Sequence, residues 1–368
     1  MSFFVFIFGV QIYDLFLKTK KQNPDFLNIG TKILNWYDEN ARDLPWRKSK
    51  NPYLIWISEI ILQQTQVKQG LQHYLNFVER FPNVESLAAA ETDEVLLYWK
   101  GLGYYSRALN LHIAAQQIMD QHKGKFPKHY HDIVALKGIG KYTAAAIASI
   151  CYNEVYPAID GNFYRVFSRV WADDFDISKS NAFKYFSKLI IDIIPEHNPG
   201  DFNQAIMDLG SEICKPKNPD CTICPINENC LAYQTGTMLN FPVKKKKAKI
   251  EKMELEYYFV FNHLEFLIKR RNQDSIWKNL YEFCTAIPEE WKNNYTIDTL
   301  KVNHKLTHKN VDISIHYIRL ESIENFKNFA QENDYNIVNT ETSDNLSFPK
   351  PLEKAIKVFE ETIINWYQ

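Results

Sequence analysis

Two carboxylates stand in contexts that suit catalysis better than solvation. Glu59 lies in Trp56-Ile57-Ser58-Glu59-Ile60-Ile61-Leu62, and these apolar neighbours argue against a fully solvated position. A carboxyl among apolar groups has a raised pKa and can hold a proton near neutral pH, as a general acid must. Asp160 follows the apolar pair Ala158-Ile159 and precedes Gly161-Asn162. An aspartate so placed either caps a helix or serves as an anion beside a developing cation. Cys214, Cys221, Cys224 and Cys230 form a third constellation, spaced C-x6-C-x2-C-x5-C. The interleaved Lys215, Pro216, Lys217, Asn218, Pro219 and Asp220 are not core residues, so four unrelated buried cysteines are a poor explanation. Four thiolates in a short loop-rich stretch can close around tetrahedral zinc or around an iron–sulfur cube, and spacing alone leaves both open. Finally, Leu136-Lys137-Gly138-Ile139-Gly140-Lys141-Tyr142 precedes an apolar helix, Thr143 to Ser149. Either this is an ordinary helix–helix turn, or the helix N-terminus holds a phosphate with Lys141 as countercharge.

These residues need elements to hold them. The 368 residues allow two or three domains. Apolar residues recur at helical spacing from 26 to 235, with turn signals near Asn51-Pro52, Phe81-Pro82, Gly101 to Gly103, Gly138 to Gly140 and Pro195 to Gly200. A basic linker, 236–252, follows and contains the run Lys244 to Lys247. From 253 to 368 the pattern alternates instead. Glu254 to Phe261 and Leu264 to Ile268 read as a hairpin turning near Asn262-His263, Val311 to Ile318 as a further strand, and 351–366 as a closing helix. The expected fold is therefore mainly α, then α+β.

A formal net charge of −1 gives no bulk sign of a nucleic-acid partner. Its distribution is more informative. Residues 125–171 carry six Lys or Arg against three Asp or Glu, and 321–368 carry four against nine. A basic centre fits a DNA-facing patch. Six cysteines, four of them clustered, indicate a metal site in a reducing compartment and not a disulfide scaffold. The apolar run Phe3 to Val10 lacks a basic flank and is too short to span a bilayer, so residues 1–25 are read as an N-terminal extension, with no membrane role.

The string L-K-G-I-G-K-Y-T-A-A-A-I, followed by A-I-D-G-N, resembles the helix-hairpin-helix and catalytic aspartate of the endonuclease III superfamily of DNA glycosylases. The cysteine spacing resembles that superfamily's iron–sulfur loop, here 214–230, which implies a [4Fe-4S] cluster of structural role. Leu44-Pro45-Trp46-Arg47, Pro52-Tyr53 and Trp56 to Val67 resemble the signature of the MutY family of adenine DNA glycosylases. The resemblance is strong to residue 235 and moderate beyond. It implies a six-helix barrel near 40–150, a cluster-bearing subdomain, and DNA lying across the cleft between them.

It also implies roles. Glu59 would be the general acid and Asp160 the partner of the sugar cation. Tyr142 stands where bifunctional members place a Schiff-base lysine; tyrosine forms no imine, so the chain looks monofunctional, with Tyr142 orienting Asp160 or a phosphate. Gly138, Gly140 and Lys141 would grip the DNA backbone. Gly101 to Arg107 is similar to the segment that enters the duplex, with Leu102 and Tyr104 meeting 8-oxoguanine and Gln64 and Thr65 opposite them. Phe202-Asn203-Gln204-Ala205 is similar to the adenine-pocket segment, where Gln204 would read the base and Trp46 and Arg47 complete the pocket. Residues 253–368 look like the Nudix-related domain appended for 8-oxoguanine recognition, through Ile276-Trp277-Lys278-Asn279-Leu280-Tyr281-Glu282-Phe283. Pro288-Glu289-Glu290-Trp291 follows in place of the acidic Nudix box, so no nucleotide hydrolysis is implied. The family's F-S-H loop appears as Leu306-Thr307-His308, with Thr307 and His308 placed to contact the lesion. The implied partner is double-stranded DNA with A:8-oxoguanine or A:G mispairs, and the implied protein a cytoplasmic, DNA-associated monomer. The rivals are a bifunctional lyase acting on oxidised pyrimidines and a non-enzymatic DNA-binding protein.

Overall fold

A computed structural model describes residues 28–245, 250–271, 276–306 and 309–363. The N-terminal extension 1–25, Lys246, Lys247, Thr307 and His308 therefore lie outside the described residues. Two compact units cut across chain order. The first comprises residues up to 67, 83–85 and 114–247, and the second 68–82, 86–113 and 248–368. The main helices preceding the C-terminal sheet are α1 (Ile29–Asn40), α2 (Pro52–Leu62), α3 (Val67–Arg80), α4 (Thr92–Tyr98), α5 (Ser106–His122), α6 (Tyr130–Val134), α7 (Lys141–Tyr152), α8 (Gly161–Val170), α9 (Ala182–Ile190) and α10 (Pro199–Asp208). No described helix is long and apolar enough to cross a membrane.

In the first unit, local chemistry starts the helices that matter. Asn51 caps α2, its side chain accepting from the Tyr53 N–H at 3.0 Å, and Pro52 occupies the first turn, where no N–H is needed. Asp160 caps α8 by accepting from the Phe163 N–H at 2.8 Å. One core joins α1, α8, α9 and α10 through Ile33, Phe163, Phe167, Phe186 and Phe202, all fully buried. Helix α7 is rich in alanine, and α10 comes close to it. A β-carbon on Gly200 would lie 2.7 Å from the Ile150 Cα, so only glycine permits that approach. Asn203, fully buried one turn later, uses the approach. Its amide donates to Ser149 Oγ and to the Tyr156 carbonyl, both at 2.8 Å, and its oxygen accepts from the Ala158 N–H at 3.0 Å. That side chain fixes the strand-like stretch leading into Asp160. The outgoing chain is also pinned, with Ile177 donating to the Val243 carbonyl at 3.0 Å and Lys245 to Asp176 at 3.3 Å.

The second unit contains a six-stranded mixed sheet of β1 (Glu251–Asn262), β2 (Glu265–Arg270), β3 (Tyr281–Glu282), β4 (Thr296–Lys305), β5 (Lys309–Arg319) and β6 (Asn336–Asn339), ordered β3-β2-β1-β5-β4 with β6 on β2. The β1–β2 hairpin pairs Phe261 with Phe266, and β5 runs parallel to β1. Strand β1 alternates between two cores, as side-chain period two requires. Tyr257, Phe259 and Phe261 pack on one face with α13 (Lys350–Val358); Tyr258 and Val260 pack on the other with α11 (Glu289–Asn294) and α12 (Ile323–Glu332). Helix α13 is the expected closing helix. Beneath the sheet Arg271, 6% exposed, donates to Glu282 and to the Tyr257 hydroxyl.

Candidate active site

A cavity of about 730 Å³ opens in the first unit, large enough for a flipped base with its sugar. Glu59, Tyr142 and Asp160 line it, and so do Trp46, Arg47, Gln64, Thr65 and Gln204. Sequence reasoning named these residues from five separate stretches; the fold gathers them on one surface. Glu59 comes from the last turns of α2, Tyr142 from the first turn of α7, Asp160 from the start of α8, and Gln204 from α10.

The two carboxylates differ in setting. Glu59 is pushed up to about 7, chiefly by burial; the Tyr142 hydroxyl and Arg47 oppose the shift, and the negative charge of Asp160 adds to it. At neutral pH it is thus poised to give or take a proton. Burial raises Asp160 as well, but the Phe163 N–H, Asn162 and Arg165 draw it back. Asn162 Nδ2 donates to Asp160 Oδ2 at 2.7 Å. The capping role and the cleft-facing role were alternatives on paper. Here one residue does both: Asp160 caps α8 and lines the cavity. The Tyr142 hydroxyl donates to Met207 Sδ at 3.5 Å, and it also opposes the rise of the Glu59 pKa.

The side of the cavity lined by Arg47 and Gln204 is built on an ion pair that sequence reasoning missed. Asp208, with no exposed side-chain surface, binds Arg47 through both carboxylate oxygens and accepts from Arg42 Nε at 2.7 Å. These guanidinium groups hold the Asp208 carboxyl below the usual range despite its burial. Tyr37 supports Gln204, donating to its Oε1 at 3.3 Å with the Arg47 guanidinium 5.5 Å from its ring centre. A signal existed: Asp208 is four residues beyond Gln204, hence on the same face of α10. Arg165 gave none. Its guanidinium donates to Asn162 Oδ1 at 2.7 Å and to the carbonyls of Gly210 and Cys214 at 2.6 Å, tying the Asp160 cap to the cysteine loop.

Residues 57–191 match the profile of the HhH-GPD superfamily base excision DNA repair proteins, and 256–358 that of the NUDIX domain. The adenine DNA glycosylase of Buchnera aphidicola subsp. Schizaphis graminum is 37% identical over 341 residues, covering 89% of this chain and 97% of that protein. The chain belongs to the adenine DNA glycosylase family, and with it to the base excision DNA repair proteins. The human adenine DNA glycosylase is 38% identical over 211 residues, covering 55% of this chain and 39% of its own. Among solved structures, a thermostable thymine-DNA glycosylase matches with TM-score 0.52 and 27% identity, covering 59% of this chain and all but 1% of its own. A trapped endonuclease III–DNA intermediate matches at TM-score 0.50 with 19% identity over 59% of this chain, a likeness of fold.

Other elements of this glycosylase can be placed. Helices α6 and α7 flank the turn 135–140; Gly140 is the N-cap of α7 with open space where a side chain would be, and Lys141 lies over the Phe183 ring at 5.1 Å. The four loop cysteines line one small cavity. Arg169 Nη1 lies 3.3 Å from Cys214 Sγ while the same guanidinium donates to the Lys215 and Pro216 carbonyls. Among the described residues no three His, Cys, Asp or Glu side chains converge as ligands of one metal ion. In the second unit Tyr104 is 48% exposed, but Leu102, expected beside it at the DNA, is turned inward with 7% exposure. Leu306 donates its N–H to the Lys309 carbonyl at 2.8 Å, and its side chain packs against the sheet core.

Proposed function

We propose that this chain hydrolyses the N-glycosidic bond of adenine mispaired with 8-oxoguanine or guanine, leaving an abasic site. One observation carries the reading: Glu59, raised to about 7, and Asp160 face the same cavity. Adenine leaves poorly until N7 is protonated, and Glu59 supplies that proton. The sugar carbon then becomes oxocarbenium-like, and the Asp160 carboxylate stabilises it electrostatically or by a transient bond. Water completes the hydrolysis. Tyr142 holds Glu59 in place, and having no amine it forms no imine with the sugar. Gln204, Trp46 and Arg47 receive the base; Gly138, Gly140 and Lys141 bind phosphate; Gln64, Thr65 and Tyr104 act on the opposing strand; Thr307 and His308 read the oxidised base. The protein works on double-stranded DNA in the cytoplasm, as a monomer.

Cys214, Cys221, Cys224 and Cys230 fit a [4Fe-4S] cluster. Four sulfur donors line one cavity, with a guanidinium beside Cys214. The group would brace the loop that Arg165 ties to Asp160. Equal counts of iron and inorganic sulfide are expected; stoichiometric zinc without iron would exclude the cluster.

Single-turnover incubation with an A:8-oxoguanine duplex tests the activity. The expected product breaks only on alkaline treatment. Absence of excision sinks the proposal, and trapping of a DNA–protein imine by borohydride would make the enzyme a lyase.

A further inference from the structure

Residues 101–107 cover the end of the α4–α5 connection and the first turn of α5 in the second unit, and carry an unusual backbone. Gly101 and Gly103 have φ of 92° and 68°, and Tyr104 itself has φ 49°. A bulky residue seldom adopts that conformation without something to hold it. Trp99, fully buried, packs edge-on to Phe77 of α3 at 5.9 Å and donates from Nε1 to the Gly103 carbonyl at 3.1 Å. Arg107 Nη2 donates to that same carbonyl at 3.1 Å and to the Leu102 carbonyl at 3.2 Å. Its guanidinium carbon lies 5.2 Å from the Trp99 ring centre and 5.6 Å from the Tyr104 ring centre. A buried indole, a guanidinium and a half-exposed phenol thus form a pedestal.

We propose that Arg107 is a positioning residue that presents Tyr104 as a rigid wedge for opening the base stack. The proposal rests on the reading that Tyr104 enters the duplex. Burial lowers Arg107 only to about 10, so it is a cation at neutral pH. Its Nη2 group reaches two successive carbonyls while the flat guanidinium face lies against two rings, a stacking that a lysine ammonium cannot reproduce. A wedge held in its working conformation before DNA arrives loses less freedom on insertion. Arg107 therefore acts on the opening of the mispair and not on bond cleavage.

The test compares wild type, Arg107→Gln, Arg107→Lys, Trp99→Phe and Tyr104→Ala on two duplexes. In one, adenine faces 8-oxoguanine; in the other it faces an abasic analogue, where the opposing stack is already broken. Arg107→Gln should lower kcat/KM on the first duplex about tenfold and stay within about twofold of wild type on the second. Arg107→Lys should resemble it, and Trp99→Phe should show the same selectivity more mildly. Fluorescence of 2-aminopurine beside the mispair, which rises as the stack opens, should fall in parallel. Tyr104→Ala must show the same selectivity; if it does not, the wedge reading itself fails. Selective loss in Tyr104→Ala without it in Arg107→Gln or Trp99→Phe would overturn the role of Arg107 alone. Equal loss on both duplexes, with unchanged thermal melting, would overturn it too. Should Arg107→Gln not fold, Trp99→Phe decides.

Discussion

In the C-terminal sheet the half-buried carboxylate of Glu282 is met by the Arg271 guanidinium and by the Tyr257 hydroxyl at 3.1 Å. In the helical cleft Glu59 has the Tyr142 hydroxyl for partner, while the neighbouring Asp160 charge drives its proton affinity further up. Both carboxyls are raised by burial. Only at Glu282 does a short ion pair offset that cost, and the result is a fixed charge that helps to define the sheet. At Glu59 the Tyr142 hydroxyl and Arg47 offset the cost only in part, and the result is a carboxyl whose proton can move near pH 7.

The comparison breaks first if Glu59 can be neutralised without harm. Glu59→Gln should bind the mispair but lower the single-turnover rate by about 10² to 10⁴, the usual loss for a general acid. A variant keeping more than about a tenth of the rate would remove Glu59 from that role. In the wild type the rate should fall as pH rises through about 7, because only the protonated carboxyl donates. Next, Arg271→Met should destabilise the protein by about 3 kcal/mol, since it strands the Glu282 charge; the low end of the usual range applies because Glu282 keeps some solvent contact. Adding Glu282→Gln should restore part of that, and urea midpoints measure both. If the single variant costs nothing, the sheet does not depend on charge compensation.

A third experiment asks whether the C-terminal region contributes recognition and no chemistry. Deleting residues 250–368 should leave A:G excision measurable and weaken A:8-oxoguanine binding more than A:G binding. Loss of one or two hydrogen bonds corresponds to about 1 to 3 kcal/mol, roughly five- to a hundredfold. Competition at one salt concentration reads it, and equal weakening would mean nonspecific contact. The smallest effect has the opposite sign. Glu59 sits at about 7 folded against an ordinary 4.5, so the folded state holds an extra proton between those values. Stability is then full below about pH 4.5 and falls as pH rises toward 7. Glu59→Gln should therefore stabilise the protein at pH 8 by about 1 to 2 kcal/mol, discounted for solvent in the cleft, and change nothing at pH 4. Thermal melts at the two pH values settle the sign.

Much of this was legible in the sequence because it is written locally. The Asn51-Pro52 start of α2, the glycine turn before α7 and the alternation of β1 all follow from residues adjacent in the chain. The cleft carboxylates were legible for a similar reason: each sits in a short apolar context. Asp208 was less so, since its partners Arg42 and Arg47 lie some 160 residues away and only the fold brings them in. Arg165 escaped altogether, and Arg107 was read only as the last residue of the segment that resembles the duplex-entering one. Their work is to grip main-chain carbonyls, and any residue offers a carbonyl, so no pattern of side chains announces the contact. The inward turn of Leu102 depends likewise on positive φ values at its neighbours, which glycine permits without specifying.

The double duty of Asp160 has a consequence for lineages in which this repair activity decays. Most substitutions there forfeit a helix cap as well as the proposed anion, so selection for a folded chain alone already disfavours them. Glu59 has no such protection, because above pH 7 a neutral side chain in its place is expected to stabilise the protein. Drift in an idle copy should erase Glu59 early and Asp160 late. An aspartate at 160 is therefore weak testimony that a descendant still works, and a glutamate at 59 is strong testimony.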